Sequence, residues 1–316
     1  MKRKMSAELS IVIPNYNTRD LLAGCLRSIF STAGGIKMEV IVVDNASTDG
    51  SVELVRAQFP QVRMVHNSAN VGFARAVNQG LRLAQGNYLL LLNSDTELRP
   101  GALSHCLEFL KKRPKAGAVG CRLVNPDGSR QPSCESFMTF AGILWEALLL
   151  DKLFPQSRLF GRMHLTYFTY DRLEQVDYVK GAFLMTRRAT LEDVALLDER
   201  FFFYGEEQDW CYRAKQRGWE VWFTPEATVV HHGGGSGDPV APRIFVQLHK
   251  SRYLFYQKHH HPLSSALARI VLAAGSLLRV AGWWLFGILR PEIRNLCRRK
   301  AEAFWAAFMW YIGRER

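Results

Sequence analysis

This sequence of 316 residues contains no internal repeat and no low-complexity stretch. It has only six cysteines, Cys25, Cys106, Cys121, Cys134, Cys211 and Cys297, and no CxxC pair among them. Spread in this way they read as reduced, structural thiols, which favours a cytosolic compartment. The basic start Met1-Lys-Arg-Lys-Met-Ser is not followed by an apolar h-region, so no signal peptide is expected. GxxxxGK[ST] and HExxH are both missing. The first apolar run enters Pro14-Asn-Tyr-Asn17 rather than GxGxxG, which disfavours a dinucleotide oxidoreductase. Acidic residues are scarce towards the end of the chain. Residues 243–316 hold 13 basic and 3 acidic residues, so they carry +10 of the net charge of +12. A basic tail of this kind reads as a membrane-surface or nucleic-acid contact, or more plainly as a solvated face. No nucleic-acid module is recognisable and tryptophans lie beside the charges, so lipid is the better partner and no nucleic acid is expected.

The first half alternates apolar, β-branched runs with helical spacing. Leu9–Pro14, Val40–Asp44, Val62–His66 and Tyr88–Leu92 read as strands. Leu21–Phe30, Asp49–Phe59 and Phe73–Ala84 read as helices. Runs that are apolar on both faces predict an α/β fold, a mostly parallel sheet covered by helices. Further on, Val176–Met185 reads as a strand interrupted by Gly181, Glu206–Arg217 as a helix stopped by Gly218, and Val221–Phe223 and Thr228–His231 as two short strands. Asn125-Pro-Asp-Gly128 is a strong turn. Near the end, Leu263–Leu289 is apolar but broken by Arg269 and Arg279. At 100° per residue, Ser265, Arg269, Ser276, Arg279 and Arg290 share one stripe. That pattern suits a helix lying in a membrane interface, with Trp283, Trp284 and Phe286 at the headgroups. A helix packed on the protein's own body is the competing reading.

In parallel sheets ligands bind beyond the carboxyl ends of the strands. Polar clusters follow four of the runs: Pro14 and Tyr16 within Pro14–Asn17, Asp44–Asp49, Asn67–Gly72, and Asn93-Ser94-Asp95. Together they predict one crevice, and the residue types suit a nucleotide-diphosphate sugar. Asp44 can accept from a nucleobase or ribose, whereas Asp49 reads as a helix cap. Asn70, Gly72 and Arg75 open a helix whose free N–H groups suit an oxygen-rich ligand, with Arg75 available to a phosphate. Asp95 is a hard-oxygen ligand for Mg2+ or Mn2+, and His231 or His232, beside Gly233-Gly-Gly235, is a second. Glu206, Glu207 and Asp209 form an acidic knot after the apolar Phe201-Phe-Phe-Tyr204. A partly buried carboxylate there can serve as general base.

The chain over about residues 9 to 260 resembles the family-2, GT-A-fold glycosyltransferases, and among them rhamnosyltransferase-like members. The matching stretches are Ser10–Asn17, Val43–Ser47, Asn70–Ala74 with Asn78 and Gly80, Leu91–Asp95, Gly181–Met185, Phe203–Trp210 with Arg213 and Gly218-Trp219, and Val230–Ser236. The resemblance implies a GT-A domain over 1–261 and leaves 262–316 as a basic, Trp-rich, membrane-associating tail. It implies that Asp44 meets the nucleobase and that Asn93–Asp95 stands for the metal-binding DxD. It also implies that His231 is the second metal ligand and that Glu207 is the base, with Asp209 its rival. Two positions depart from the family pattern. Asn-Ser-Asp leaves one carboxylate where the motif has two, and Glu207 stands where relatives commonly carry Asp.

The expectation is therefore an inverting, metal-assisted transfer of a sugar to a hydroxyl of a glycan or polyprenyl-diphosphate-linked acceptor. The donor best implied by the resemblance is deoxythymidine-diphosphate-rhamnose. The protein would sit peripherally on the cytoplasmic face of the membrane. A non-catalytic nucleotide- or glycan-binding scaffold is the alternative, and the acidic knot speaks against it because a pure binder needs no base.

Overall fold

The computed structural model describes residues 7–233 and 241–314. In chain order these form β1 (Leu9–Asn15), α1 (Arg19–Ser31), β2 (Met38–Asp44), α2 (Ser51–Gln58), β3 (Arg63–His66), α3 (Phe73–Leu83), β4 (Tyr88–Leu92), β5 (Thr96–Leu98), α4 (Ala102–Lys112), β6 (Ala116–Val124), β7 (Arg130–Gln131), β8 (Cys134–Glu135), α5 (Phe140–Ala147) and α6 (Leu150–Leu153). Then follow β9 (Glu174–Gln175), β10 (Tyr178–Val179), β11 (Phe183–Arg187), α7 (Arg188–Val194), α8 (Glu206–Gln216), β12 (Glu220–His231), α9 (Pro242–His259), α10 (Pro262–Leu289) and α11 (Arg294–Tyr311). Two compact units result. A sheet unit takes the chain up to Glu135, Thr169–Phe202, and Glu206 through β12. A helical unit takes Ser136–Phe168, Phe203–Gly205 and the helices from α9 onward.

The main sheet of the first unit runs β3-β2-β1-β4-β11-β6-β12-β5. β1 pairs in parallel with β2 and β4, and β2 with β3. β11 enters antiparallel between β4 and β6, while β12 is parallel to β6. The sheet is the mostly parallel, helix-covered arrangement that the apolar runs predict. Ile11 and Ile13 of β1, Val40 and Val42 of β2, and Leu90 and Leu92 of β4 join α1 and α4 in one core. Val12 points to the opposite face, as strand alternation requires. There α3 comes so close that a Cβ on Gly80 would lie 2.4 Å from Val12 Cγ1. The strand expected over Val176–Met185 does break at Gly181, into β10 and β11. The two short strands expected near 221–231 are instead one, β12, whose register on β6 slips between Thr224 and Thr228. Pro225 lies inside that slip, where its missing N–H costs no ladder bond. All six cysteines are unpaired and buried. Burial pushes the Cys25 thiol up to about 12, consistent with an inert structural role.

The helical unit draws on more of the chain than the tail after 262. Glu146 of α5 binds Arg252 of α9, with the Nη1–Oε1 distance 3.0 Å, and accepts from Arg279 of α10 at its carbonyl oxygen. Gly275 of α10 lets Ala147 approach so closely that an added Cβ would meet it at 3.0 Å. His249 of α9 bonds the Tyr311 hydroxyl at 2.9 Å. These contacts tie 136–168 and α9 to α10 and α11.

The polar stripe of α10 faces inward. Ser265 and Ser276 are buried, and Arg269 Nε donates to the Tyr311 carbonyl at 2.6 Å. The outer face is apolar, with Leu263, Ile270, Leu278, Trp284, Ile288 and Leu289 each at least 60 % exposed. α10 is long and apolar enough, by length and composition alone, to cross a membrane.

Candidate active site

Strands β1, β2 and β4 run in parallel, so the residues that follow them share one edge. Asp44, the last residue of β2, is wholly enclosed. Its oxygens accept from Asn15 Nδ2 at 2.8 Å, the Ser47 N–H at 2.9 Å and His66 Nδ1 at 3.2 Å. Asn15 Oδ1 accepts from the Thr18 hydroxyl at 2.6 Å, and that hydroxyl meets Ser94 Oγ at 2.7 Å. One hydrogen-bonded line thus joins Asp44 to the Asn93–Asp95 turn. Pro14 is buried beneath it and Tyr16 is exposed. Half-exposed His66 is the Asp44 partner that faces water, and sequence reasoning missed it. Its place at the end of β3, in register with Asp44, was the available signal. Asp49 accepts from the first N–H groups of α1 and α2, at Arg19 and Ser51, as a cap should.

Gly72 precedes α3 at φ +88°, and a Cβ there would come within 2.7 Å of the Phe202 ring. The close approach belongs to Phe202, whose carbonyl also takes the Phe73 N–H at 2.7 Å. Asn70 Oδ1 accepts from the Gly72 N–H at 3.0 Å. The Arg75 guanidinium lies on Glu199 at 3.0 Å, together with Arg82 and Asn78. A phosphate role for Arg75 would require it to leave that carboxylate.

Asp95 and His231 come together although 136 positions separate them. β5 and β12 pair with His231 opposite Thr96, which sets His231 Nε2 3.2 Å from Asp95 Oδ1. His232 turns to Glu97, at 3.0 Å. The last two glycines of the triglycine lie outside the described residues. Asn93 Nδ2 is 3.4 Å from His231 Nε2, and Asn93 Oδ1 is buried without a hydrogen-bond partner. The Asp95 carboxylate oxygen and the His231 imidazole nitrogen are donors that fit Mg2+ or, better, Mn2+. Among the described residues no group of three His, Cys, Asp or Glu could hold a metal by itself. A bound cation would therefore complete its shell with ligand oxygens.

The acidic knot sits at the start of α8. Asp209 is fully buried on Arg213 at 2.9 Å, and Arg213 is held in turn by the Val194 and Leu196 carbonyls. Glu206 and Glu207 each keep one buried oxygen, Oε2, without a hydrogen-bond partner. Burial first, then repulsion from Glu207, pushes the Glu206 carboxyl well up. Burial also raises Glu207, although its own N–H, the Gly181 N–H and nearby Lys180 oppose the rise. The Asn93 N–H donates to the neighbouring Ala182 carbonyl at 3.2 Å. Residues 181–182 therefore hold Glu207 on one side and the Asn93–Asp95 turn on the other.

The model of the family described as "Glycosyl transferase family 2" matches residues 10–184. The chain is 28% identical to the N-acetylglucosaminyl-diphospho-decaprenol L-rhamnosyltransferase of Mycobacterium tuberculosis, over 94% of this chain and 98% of that protein. It is 24% identical to a low-salt glycan biosynthesis hexosyltransferase of Haloferax volcanii, over 96% and 89% respectively. In structure it resembles a mannosyltransferase of Pyrobaculum calidifontis solved with GDP-Man and Mn2+. The TM-score is 0.58, with 18% identity over 97% of this chain and 87% of that one. At that identity the likeness concerns the fold.

Proposed function

From the premise that this chain belongs to glycosyl transferase family 2, we propose that it is an inverting enzyme taking its sugar from a nucleotide-diphosphate donor. The donor is deoxythymidine-diphosphate-rhamnose, and the acceptor is a hydroxyl of a glycan or of a polyprenyl-diphosphate-linked sugar in cell-surface polysaccharide synthesis. The observation that carries the reading is the convergence on one sheet edge of the Asp95–His231 pair, the raised Glu207 carboxylate and the Asp44–Ser94 line. The full-length likeness to the mycobacterial rhamnosyltransferase supports the choice of sugar and acceptor.

Asp95 and His231 would hold Mg2+ or Mn2+, which when bound neutralises charge on the donor diphosphate. Pro14, Tyr16, Asp44 and Asn70–Gly72 shape the slot for the nucleoside, with Asn93 and Ser94 beneath the sugar-phosphate and Arg75 at its flank. Glu207 accepts the acceptor hydroxyl proton as that oxygen bonds to the anomeric carbon. The bond from that carbon to the diphosphate oxygen breaks on the opposite face, so configuration inverts. A raised carboxylate suits this task, because it accepts a proton readily. Asp209, paired with Arg213, braces the start of α8.

The helical unit is the membrane-facing part. α10 turns its arginines inward and leaves its apolar face bare, while Arg290, Arg294, Arg298, Arg299 and Lys300 follow directly. An apolar face beside a basic cluster suits the anionic inner leaflet, where the protein sits peripherally. The test of the whole reading is a calorimetric panel of deoxythymidine- and uridine-diphosphate sugars with and without Mn2+. It is followed by transfer to a polyprenyl-diphosphate-linked sugar and assignment of the product anomer. Metal-dependent binding of one donor and an inverted product are expected. A retained configuration, or transfer without a nucleotide donor, overturns it.

A further inference from the structure

The strong turn Asn125-Pro-Asp-Gly128 takes no part in the chemistry described so far, yet a line of hydrogen bonds runs from it to His231. Each bond in that line has a direction that can be derived. Asp127 is a carboxylate and can only accept, so the Ser129 hydroxyl, 2.6 Å away, donates to it. Ser129 Oγ therefore accepts from Asn125 Nδ2 at 2.9 Å. Asn125 Oδ1 then accepts from Gln131 Nε2, also at 2.9 Å. The same Gln131 nitrogen lies 3.3 Å from the carbonyl oxygen of His231, an acceptor whatever the orientation of any amide. Gln131 Oε1 is thereby left facing His231 Nδ1 at 2.6 Å. An oxygen that only accepts requires a proton on Nδ1, and in the neutral ring that leaves Nε2 bare.

Bare Nε2 points at Asp95 Oδ1, 3.2 Å away. Two acceptors face each other there, and Asn93 Nδ2, at 3.4 Å, offers only a long contact. Without Gln131 the ring could carry its proton on Nε2 and donate it to Asp95, which would close the pair on itself. We propose that Gln131 is a positioning residue: it locks His231 in the Nδ1–H form, so that the Nε2 lone pair is presented beside Asp95 to a divalent cation. Its effect is the one a hydrogen-bonded partner exerts on a metal-bound histidine, fixing both ring orientation and tautomer.

The metal half of the inference rests on Asp95 and His231 being the ligands, whereas the tautomer half does not. Both are read on the full chain labelled with 15N-histidine, the His231 signals being assigned with His231→Asn. In wild type without metal, at a pH where the ring is neutral, the expected tautomer carries its proton on Nδ1. A neutral ring with its proton on Nε2 overturns the proposal. Gln131→Leu should move the proton to Nε2 and weaken binding of Mn2+ alone by about 10–100-fold. Gln131→Glu keeps an acceptor opposite Nδ1 and should keep the wild-type tautomer and affinity. If both variants lose affinity equally with the tautomer unchanged, Gln131 is merely structural and the proposal fails. If wild type shows the expected tautomer but binds no Mn2+, it is the ligand assignment of the preceding subsection that falls.

Discussion

Glu207 in the sheet unit and Glu146 in the helical unit are both glutamates drawn out of water, and their surroundings pull them in opposite directions. Burial alone would raise Glu146, but Arg252 and His164 hold its carboxyl well below the usual range. Burial raises Glu207 too, and the neighbour that shares its enclosure is another carboxylate, Glu206. The same residue type becomes a permanent ion-pair partner in one unit and a proton acceptor in waiting in the other. What differs is how far the neighbours compensate: Arg252 and His164 outweigh desolvation at Glu146, whereas two backbone N–H groups and Lys180 do not outweigh it at Glu207.

Exchanging each glutamate for glutamine breaks the comparison most sharply. Glu207→Gln should lower the transfer rate by about 10³-fold while donor affinity stays within about twofold. Steady-state kinetics with calorimetry reads both, and full activity in that variant would remove Glu207 as base. Glu146→Gln should leave the chemistry intact and destabilise the fold by about 3 kcal/mol, because Arg252 loses its buried partner. Denaturant melts measure this, and an unchanged midpoint would show that the pair contributes nothing.

Asp95→Ala comes next. Metal-dependent donor binding should weaken by at least the roughly 10–100-fold that loss of a mere supporting partner costs. Unchanged binding would count against its ligand role. In the helical unit the matching test concerns the bare face of α10. Leu278→Asp or Leu285→Asp should reduce partition onto anionic vesicles by about tenfold each, the order expected for one leucine withdrawn from an apolar contact. Undiminished partition would sink the assignment of that face.

The smallest effect expected is on stability against pH. Glu206 is raised in the folded state, so between the ordinary glutamate value and the raised one the folded protein binds more protons than the unfolded chain. Stability therefore falls as pH climbs through that window. Thermal melts should show wild type losing stability faster than Glu206→Gln between about pH 4.3 and neutrality. Parallel curves would mean that burial does not strain this pair.

Much of the sheet was legible because strands buried on both faces carry apolar runs that few other structures need. β1, β2, β4 and the edge they share followed from Leu9–Pro14, Val40–Asp44 and Tyr88–Leu92 alone. α4 went unread although Leu103, Cys106, Leu107 and Leu110 repeat at helical spacing and are buried. Among the acidic residues at the start of α8, spacing could not tell Asp209, bound to Arg213, from Glu207, because every member of the knot suits a helix start. The stripe on α10 was legible as a stripe, and its direction was not. Its arginines reach Tyr311 and Glu146, which lie 42 and 133 positions from them in the chain.

The sequence by itself determined which residues share a strand edge, which share a helix face and which chemical groups are present. Local geometry is periodic, and composition is simply read. Only the tertiary structure decided that Asp44 is enclosed by Asn15, Ser47 and His66, that His231 rather than His232 meets Asp95, and that Gln131 stands behind it. These pairings depend on strand register and on hydrogen-bond direction between distant segments. Both are settled by packing the whole chain at once, and no local pattern records them.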